Sequence, residues 1–470
     1  MIMKKYSILL IAAALSLSQT ACQEDFIDLN PISSANLNSF YKSQKDFETA
    51  IVGVYNIFQG VHSTMWTEYN EFRGDTYTHI MYSYAEISNN AFQSNTTSTM
   101  WNTMYQMITY SNLILDRIDA VSMDEAVKAR IKGEAQFFRA YGYFALVRIF
   151  GDVPLVLKEV STSEALQIGR SPIKEVYGQI TKDLTAAIGV LPATLTAAQN
   201  GRVSKQAAEV ELARAYLTMS GIPLKENHWA DAKPLLESVI KSGQYAFAPT
   251  YAEIFSLENE RGKEVILGAK FKIGGIGEST QYQRQFNPAY GGNPVFEKGV
   301  YESYEAGDIR RDFNIAKEFT TLEGTKIAAL NNTKFDYGYD RASTESGMDF
   351  PVQRYTDVLL LYAEVLSEVD GKVNTESLVL LNQVRKRAGL KDLTSAQVPD
   401  LASFRVAMQK ERRSELMFEC VRWFDLVRTG TAVEALKAIG LNANDNWLLF
   451  PLPQTEIDKM QGVLKQNPGY

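Results

Sequence analysis

Apolar residues recur three and four positions apart through residues 45–59, 100–120, 125–150, 173–190, 204–220, 229–242, 355–369, 376–388 and 401–428. That period predicts amphipathic helices, so the chain is expected to be predominantly α. Strand-like alternation is local, with residues 264–271 and 447–450 the best short-strand candidates.

Two of the expected helices look like related copies. Glu134, Arg139, Ala140 and Tyr141 recur at the same offsets as Glu209, Arg214, Ala215 and Tyr216, and each stretch is followed by a break and another helix. The second copy runs on to Trp229, Leu235, Val239 and Ile240 and resembles a tetratricopeptide hairpin; residues 357–369 with 376–388 form a third such pair. The alternative is a generic helical bundle. Stacked hairpins bury their apolar faces on one another and make a scaffold rather than a catalytic cleft.

The remainder is loop. Residues 274–349 are rich in Gly, Asn, Asp and Tyr, and Asn287-Pro288, Gly291-Gly292-Asn293-Pro294 and Asp336-Tyr337-Gly338-Tyr339-Asp340 are turn signals. An insertion of this length either is disordered or carries function, and its aromatic content (Tyr282, Phe286, Tyr290, Phe296, Tyr301, Tyr304) argues for the second.

The amino terminus reads as an export signal. Lys4 and Lys5 precede an apolar run from Ile8 to Leu17, too short for a permanent membrane span, and Ser18-Gln19-Thr20-Ala21 leads to Cys22. Residues 1–21 are therefore expected to be a lipoprotein signal peptide and Cys22 the lipid anchor, although Gln19 stands where such signals usually carry an aliphatic residue. Loss of the two leader lysines leaves 46 of the 48 basic side chains against 55 acidic ones, a formal charge of −9. An acidic balance of this size disfavours nucleic-acid binding, which concentrates positive charge. With Cys22 acylated, Cys420 has no cysteine to pair with; on a continuous helix it shares a face with Leu416, Phe424 and Val427 and reads as a core residue.

Enzyme constellations are weak. His62, His79 and His228 have no metal-ligand spacing, no Gly-x-Ser-x-Gly elbow occurs, and Gly274-Gly275-Ile276-Gly277 lacks the residues of a phosphate loop. No catalytic residue, metal or cofactor is expected. Carboxylate pairs of a glycoside hydrolase remain a distant alternative, because their separation is set in three dimensions. Glu411, Glu415 and Glu419 fall at i, i+4 and i+8, with Arg412, Arg413 and Arg422 nearby, and read as a buried structural ion-pair network.

Several segments, in order, resemble landmarks of the SusD/RagB family. They are Phe26-Ile27-Asp28-Leu29-Asn30-Pro31, Phe150-Gly151-Asp152-Val153-Pro154-Leu155, the run from Arg354 to Glu364, the run from Leu381 to Gly389, the stretch from Glu411 to Arg428, the Pro451-Leu452-Pro453 turn and the closing Gln466-Asn467-Pro468-Gly469-Tyr470. The resemblance implies a surface lipoprotein of the outer membrane that captures a nutrient for a SusC-like TonB-dependent transporter. It also implies a helical-hairpin scaffold with a loop-rich ligand-binding region, a SusD-like amino-terminal region over 22–225 and a carboxy-terminal region over 226–470 that includes the 274–349 insertion. The expected cargo is a glycan or oligosaccharide; a peptide, as in the RagB branch, is the alternative.

Sugars offer C–H faces that aromatic rings cover and hydroxyls that Asp, Asn, Arg and Gln bond. The segment from Met65 to Tyr77, with Tyr82, Tyr84, Asn89 and Asn90, concentrates that mixture between two strong helices. Trp66, Tyr69, Arg73, Asp75, Tyr77, Tyr82, Tyr84 and Asn89 are therefore candidate ligand contacts, joined by Tyr282 and Tyr290 from the insertion. The alternative is that Trp66 and several of the tyrosines form core under a long loop. Trp101 opens a helix and is expected to be structural.

Overall fold

A computed structural model describes residues 40–79, 82–93, 95–260 and 262–470; the leader and Cys22 lie outside the described residues. The main helices are α1 (Gln44–Gly60), α2 (Ser98–Arg117), α3 (Glu125–Phe150), α4 (Ile173–Val190), α5 (Lys205–Ser220), α6 (Trp229–Lys241), α7 (Tyr355–Asp370), α8 (Thr375–Arg387), α9 (Leu401–Leu416) and α10 (Arg422–Arg428). From α1 to α8 each packs on the next in chain order, which is the serial stacking of helical hairpins. Among the described residues no helix is long and apolar enough to cross a membrane.

Helix α3 shows why the stack is tight. It starts at Asp124, whose carboxylate accepts the Val127 N–H at 2.9 Å, and stops at Gly151 with φ +75°. In between it is buried on nearly every side, because α2 and α4 both lie against it. Two glycines permit that approach: a Cβ on Gly142 would sit 2.9 Å from Ile108 of α2, and one on Gly133 would sit 2.8 Å from Val190 of α4. The repeated arginine has a repeated task. Arg139 of α3 meets Asp183 of α4 at 2.7 Å, and Arg214 of α5 meets Asp357 of α7 at 2.7 Å.

Helices α6 and α7 pack together although the chain between them makes a long excursion. At its base Val265–Ala269 pairs antiparallel with Phe350–Arg354, broken by a bulge. The insertion is ordered into short helices and two-stranded ladders. One ladder joins Tyr77–His79 to Pro294–Phe296 and so ties the amino-terminal loop to the insertion.

Two expectations are corrected here. The helix expected over 401–428 ends at Leu416, and Phe418 and Cys420 take φ of +69° and +61°. Side chains capture the backbone there: Lys334 Nζ donates to the Glu415 and Met417 carbonyls at 2.9 Å each, and Glu71 accepts the Cys420 N–H at 2.8 Å. Cys420 is therefore buried in the break, beside the Thr67 hydroxyl at 3.3 Å, and is not part of a helical face. Residues 447–450 do not form a strand. A 3₁₀ turn spans Asp445–Leu448, and the Phe450 N–H donates to the Ile149 carbonyl at 2.8 Å.

Candidate functional site

The amino-terminal candidate segment begins as a π-helical turn (Val61–Met65) and a short helix (Trp66–Asn70), then leads into the Tyr77–His79 strand. For Trp66, Tyr69, Arg73, Asp75, Tyr77 and Tyr282 the structure corrects the expectation of ligand contact, because all are buried. Several of their polar groups are bonded inside the protein, while the Tyr77 hydroxyl and Arg73 Nε are buried without a partner among the described residues. Tyr69 donates to the Thr96 carbonyl at 2.9 Å, and Tyr282 accepts from Asn332 at 3.2 Å. The Arg73 guanidinium donates to the Trp447 carbonyl and Asn90 Oδ1 at 2.6 Å each, among the rings of Phe92, Trp423, Trp447 and Phe450. Among the described residues no carboxylate pairs with it, and burial pulls that arginine down to about 10. Trp66 packs on Phe424 with centroids 5.6 Å apart, and Tyr77 lies between Phe72, Phe296 and Phe418. Trp101 is likewise core, edge-on to Phe150.

The carboxy-terminal charges are also internal, with partners other than those expected. Glu411 bonds Arg310 at 2.6 Å, Glu415 bonds Arg387 at 2.6 Å and Arg310 at 3.0 Å, and Glu419 bonds Arg354 at 2.6 Å and Lys334 at 2.5 Å. Arg412 turns instead to Asp357 and Asp425, while Arg413 and Arg422 reach Asp75. The cations that meet the glutamates come from the insertion, from the end of the Phe350–Arg354 strand and from α8, out of reach of any local reading of sequence. Among the described residues no group of three or more His, Cys, Asp or Glu is placed to hold a metal ion.

What reaches the surface is a smaller set. Tyr84 and Tyr290 are half-buried and Asn89 is exposed; the side chain of Tyr82 lies outside the described residues. Tyr84 donates to Gln285 Oε1 at 3.0 Å, which links the helix Tyr82–Asn89 to the insertion helix Tyr282–Phe286. Beneath that link Glu68 hydrogen-bonds Tyr84 and Thr64, and burial pushes its carboxyl up to about 7. From Gln285 the chain turns through Asn287, whose side chain caps Pro288–Tyr290, and delivers Tyr290 to the surface.

Tyr290 is paired with Tyr339, a residue legible in sequence only as part of a turn. Their centroids are 4.1 Å apart and their planes 32° from parallel. The Tyr290 hydroxyl donates to Asp336, and the Arg341 guanidinium lies 5.1 Å from the Tyr290 centroid. Tyr339 stands on a two-residue ladder, Tyr339–Asp340 with Glu345–Ser346. The turn between is fixed by Asp340, which accepts from Ala342 N at 3.0 Å and Ser343 Oγ at 2.7 Å. Glu345 in turn accepts the Gly274 N–H at 2.7 Å. The result is a braced aromatic pair with Asp336 and Arg341 at its rim.

The chain matches two family models: one described as starch-binding and associating with the outer membrane, over residues 25–217, and the SusD family, over 241–470. It is 26% identical to the SusD-like protein P2 of Formosa agariphila over the full length of both chains. The crystal structure of a SusD superfamily protein from Parabacteroides distasonis superposes with TM-score 0.79 at 26% identity, covering 90% of this chain and 99% of that one. A laminarin-binding SusD-like protein superposes with TM-score 0.78 at 25% identity, covering 92% of this chain and all of that one. Both family models, the full-length relative and the shared hairpin scaffold agree, and the chain belongs to the SusD/RagB family.

Proposed function

We propose that this protein is a non-enzymatic, lipid-anchored glycan-binding protein of the outer-membrane surface. It holds an oligosaccharide against the Tyr290–Tyr339 pair and passes it to a SusC-like TonB-dependent transporter. The observation that carries the reading is the pair itself: two half-buried rings, braced from below by hydrogen bonds and rimmed by polar groups. An aromatic face covers sugar C–H while the rim bonds hydroxyls, and a preformed site loses little entropy on binding. The structural neighbour that binds laminarin supports a glycan as cargo. The carboxy-terminal glutamates support the absence of catalysis there, since each is engaged by guanidinium or ammonium groups. Cys22 is proposed as the anchor, with regions 22–225 and 226–470 joined in one scaffold.

The test is retention of the protein on a panel of immobilised polysaccharides and on a casein digest. Retention on one or more glycans is the expected result. Retention on peptides alone would overturn the glycan reading and favour a RagB-type cargo.

A further inference from the structure

A cavity of about 430 Å³ lies where the ends of α3 and α5, the first turns of α4, and α10 meet the closing residues of the chain. It shares no residue with the Tyr290–Tyr339 pair. Its wall is largely apolar, with Val147, Ile173, Ile222, Phe424, Leu448 and Leu449 among the lining residues. Two polar side chains in that wall lack partners. The Arg148 guanidinium of α3 lies between the rings of Phe144 and Phe424, 3.7 and 3.9 Å from their centroids. Its Nε donates to the Phe144 carbonyl at 3.0 Å, but among the described residues neither Nη has a hydrogen bond and no carboxylate forms an ion pair with it. Tyr177 of α4 is 1% exposed and lines the same cavity, and its hydroxyl has no hydrogen-bond partner among the described residues.

The charges around these two groups have other work. Arg428 is held by Glu364 and Asp425, and Arg170 donates to the Phe150, Asp152 and Lys465 carbonyls and to Asn467. Asp152 accepts the Ile173 N–H at 2.7 Å, and Asp445 is at the exposed rim. Glu211, which shares a smaller void of about 60 Å³ with Arg148, accepts from Gln353 at 3.0 Å and lies 3.5 Å from Arg214. Arg148 is therefore a cation held in place by aromatic rings with its bonding edge left over.

We propose that this cavity is a second binding site, for a small monocarboxylic acid with an apolar body, the carboxylate bonded by Arg148 and Tyr177 and the body lying against the apolar wall. Rings beside the guanidinium plane leave its edge for the ligand, and that edge matches a carboxylate with parallel N–H bonds. A neutral group of the same shape forgoes the charge-assisted bonds and leaves the cation without a counter-ion. The cavity has the size of a small-molecule site, and its apolar wall favours a ligand that buries hydrocarbon.

Calorimetric titration of the full chain with 3-phenylpropanoate and with octanoate, each beside its neutral primary amide, tests this. The expected result is that one acid or both bind, roughly tenfold or more tightly than the matching amide. A loss of the same order is expected in Arg148→Gln and in Leu448→Trp, which fills the cavity. The comparison of acid with amide is made on the unaltered protein and decides the matter if Arg148→Gln does not fold. No binding of either acid, an amide that binds as tightly as its acid, or acid binding that survives Leu448→Trp would overturn the proposal. Acid binding lost in Tyr290→Ala would place the acid at the surface pair and equally overturn it.

Discussion

Arg422 grips both oxygens of Asp75, Nε to Oδ1 at 2.8 Å and Nη2 to Oδ2 at 2.8 Å, across 347 positions of chain. Arg413 adds a bond to the Asp75 carbonyl at 2.9 Å. Asp75 is buried and Arg422 half-buried, so the pair clamps the loop after Phe72 onto α10 and withdraws the Asp75 carboxylate from ligand. Asp75→Asn leaves Arg422 without its carboxylate and is expected to cost about 3 kcal/mol in chemical denaturation, with glycan affinity unchanged. Native stability with lost binding would make Asp75 a ligand contact instead.

Glu415 sets an acid limit on the fold. Burial works to raise its carboxyl, but Arg387, Arg354 and Arg310 hold it at about 2, below the roughly 4.3 of an unfolded chain. Its stabilisation, on the order of 3 kcal/mol, is present above pH ~4.3 and is lost as pH falls toward 2. Urea unfolding across that range is expected to show the decline, and Glu415→Gln, less stable at neutral pH, to show a shallower one. An identical slope in both proteins would contradict this.

Glu71 carries the opposite sign. Burial pushes it up to about 7; one oxygen accepts the Cys420 N–H, and the other has no partner among the described residues. Its folded form keeps a proton that the unfolded chain gives up near pH 4.3, so stability falls as pH rises from there to about 7. Glu71→Gln retains the acceptor and is expected to gain on the wild type as pH rises. A stability difference independent of pH between 4 and 8 would refute the assignment.

Helix α5 ends at a place where no side chain fits. A Cβ on Gly221 would fall 2.0 Å from the Arg428 carbonyl oxygen, which also accepts the Ile222 N–H at 3.0 Å. Gly221→Ala must push α10 away from α5 and is expected to lower the melting temperature through a stability loss of about 1–3 kcal/mol. A melting temperature equal to that of the wild type would show that α10 yields freely.

Helices such as α1 and α4 were legible because each buries a stripe of period three to four, and the hairpin copies because Arg139 and Arg214 repeat with their spacing. The break at 416–421 was not, since it depends on Lys334 arriving from the insertion to take two carbonyls. Composition brought out the segment around Trp66, but it did not separate rings that fill the core from rings that face solvent. Tyr69, Tyr77 and Tyr282 have the same local chemistry as Tyr290 and differ only in what three-dimensional packing lays over them. Tyr339 was hidden in a run that reads as a turn, and its partnership with Tyr290 spans the insertion.

The central claim is that cargo is held at Tyr290 and Tyr339 while Trp66 is core. Its most direct test measures glycan affinity and melting temperature together for Tyr290→Ala, Tyr339→Ala and Trp66→Ala. The account expects the tyrosine variants to melt near the wild type and lose binding by about tenfold or more, and Trp66→Ala to lose about 3–5 kcal/mol of stability. Tyrosine variants that bind as the wild type does, with Trp66→Ala folded normally but unable to bind, would contradict it and move the site to the amino-terminal segment.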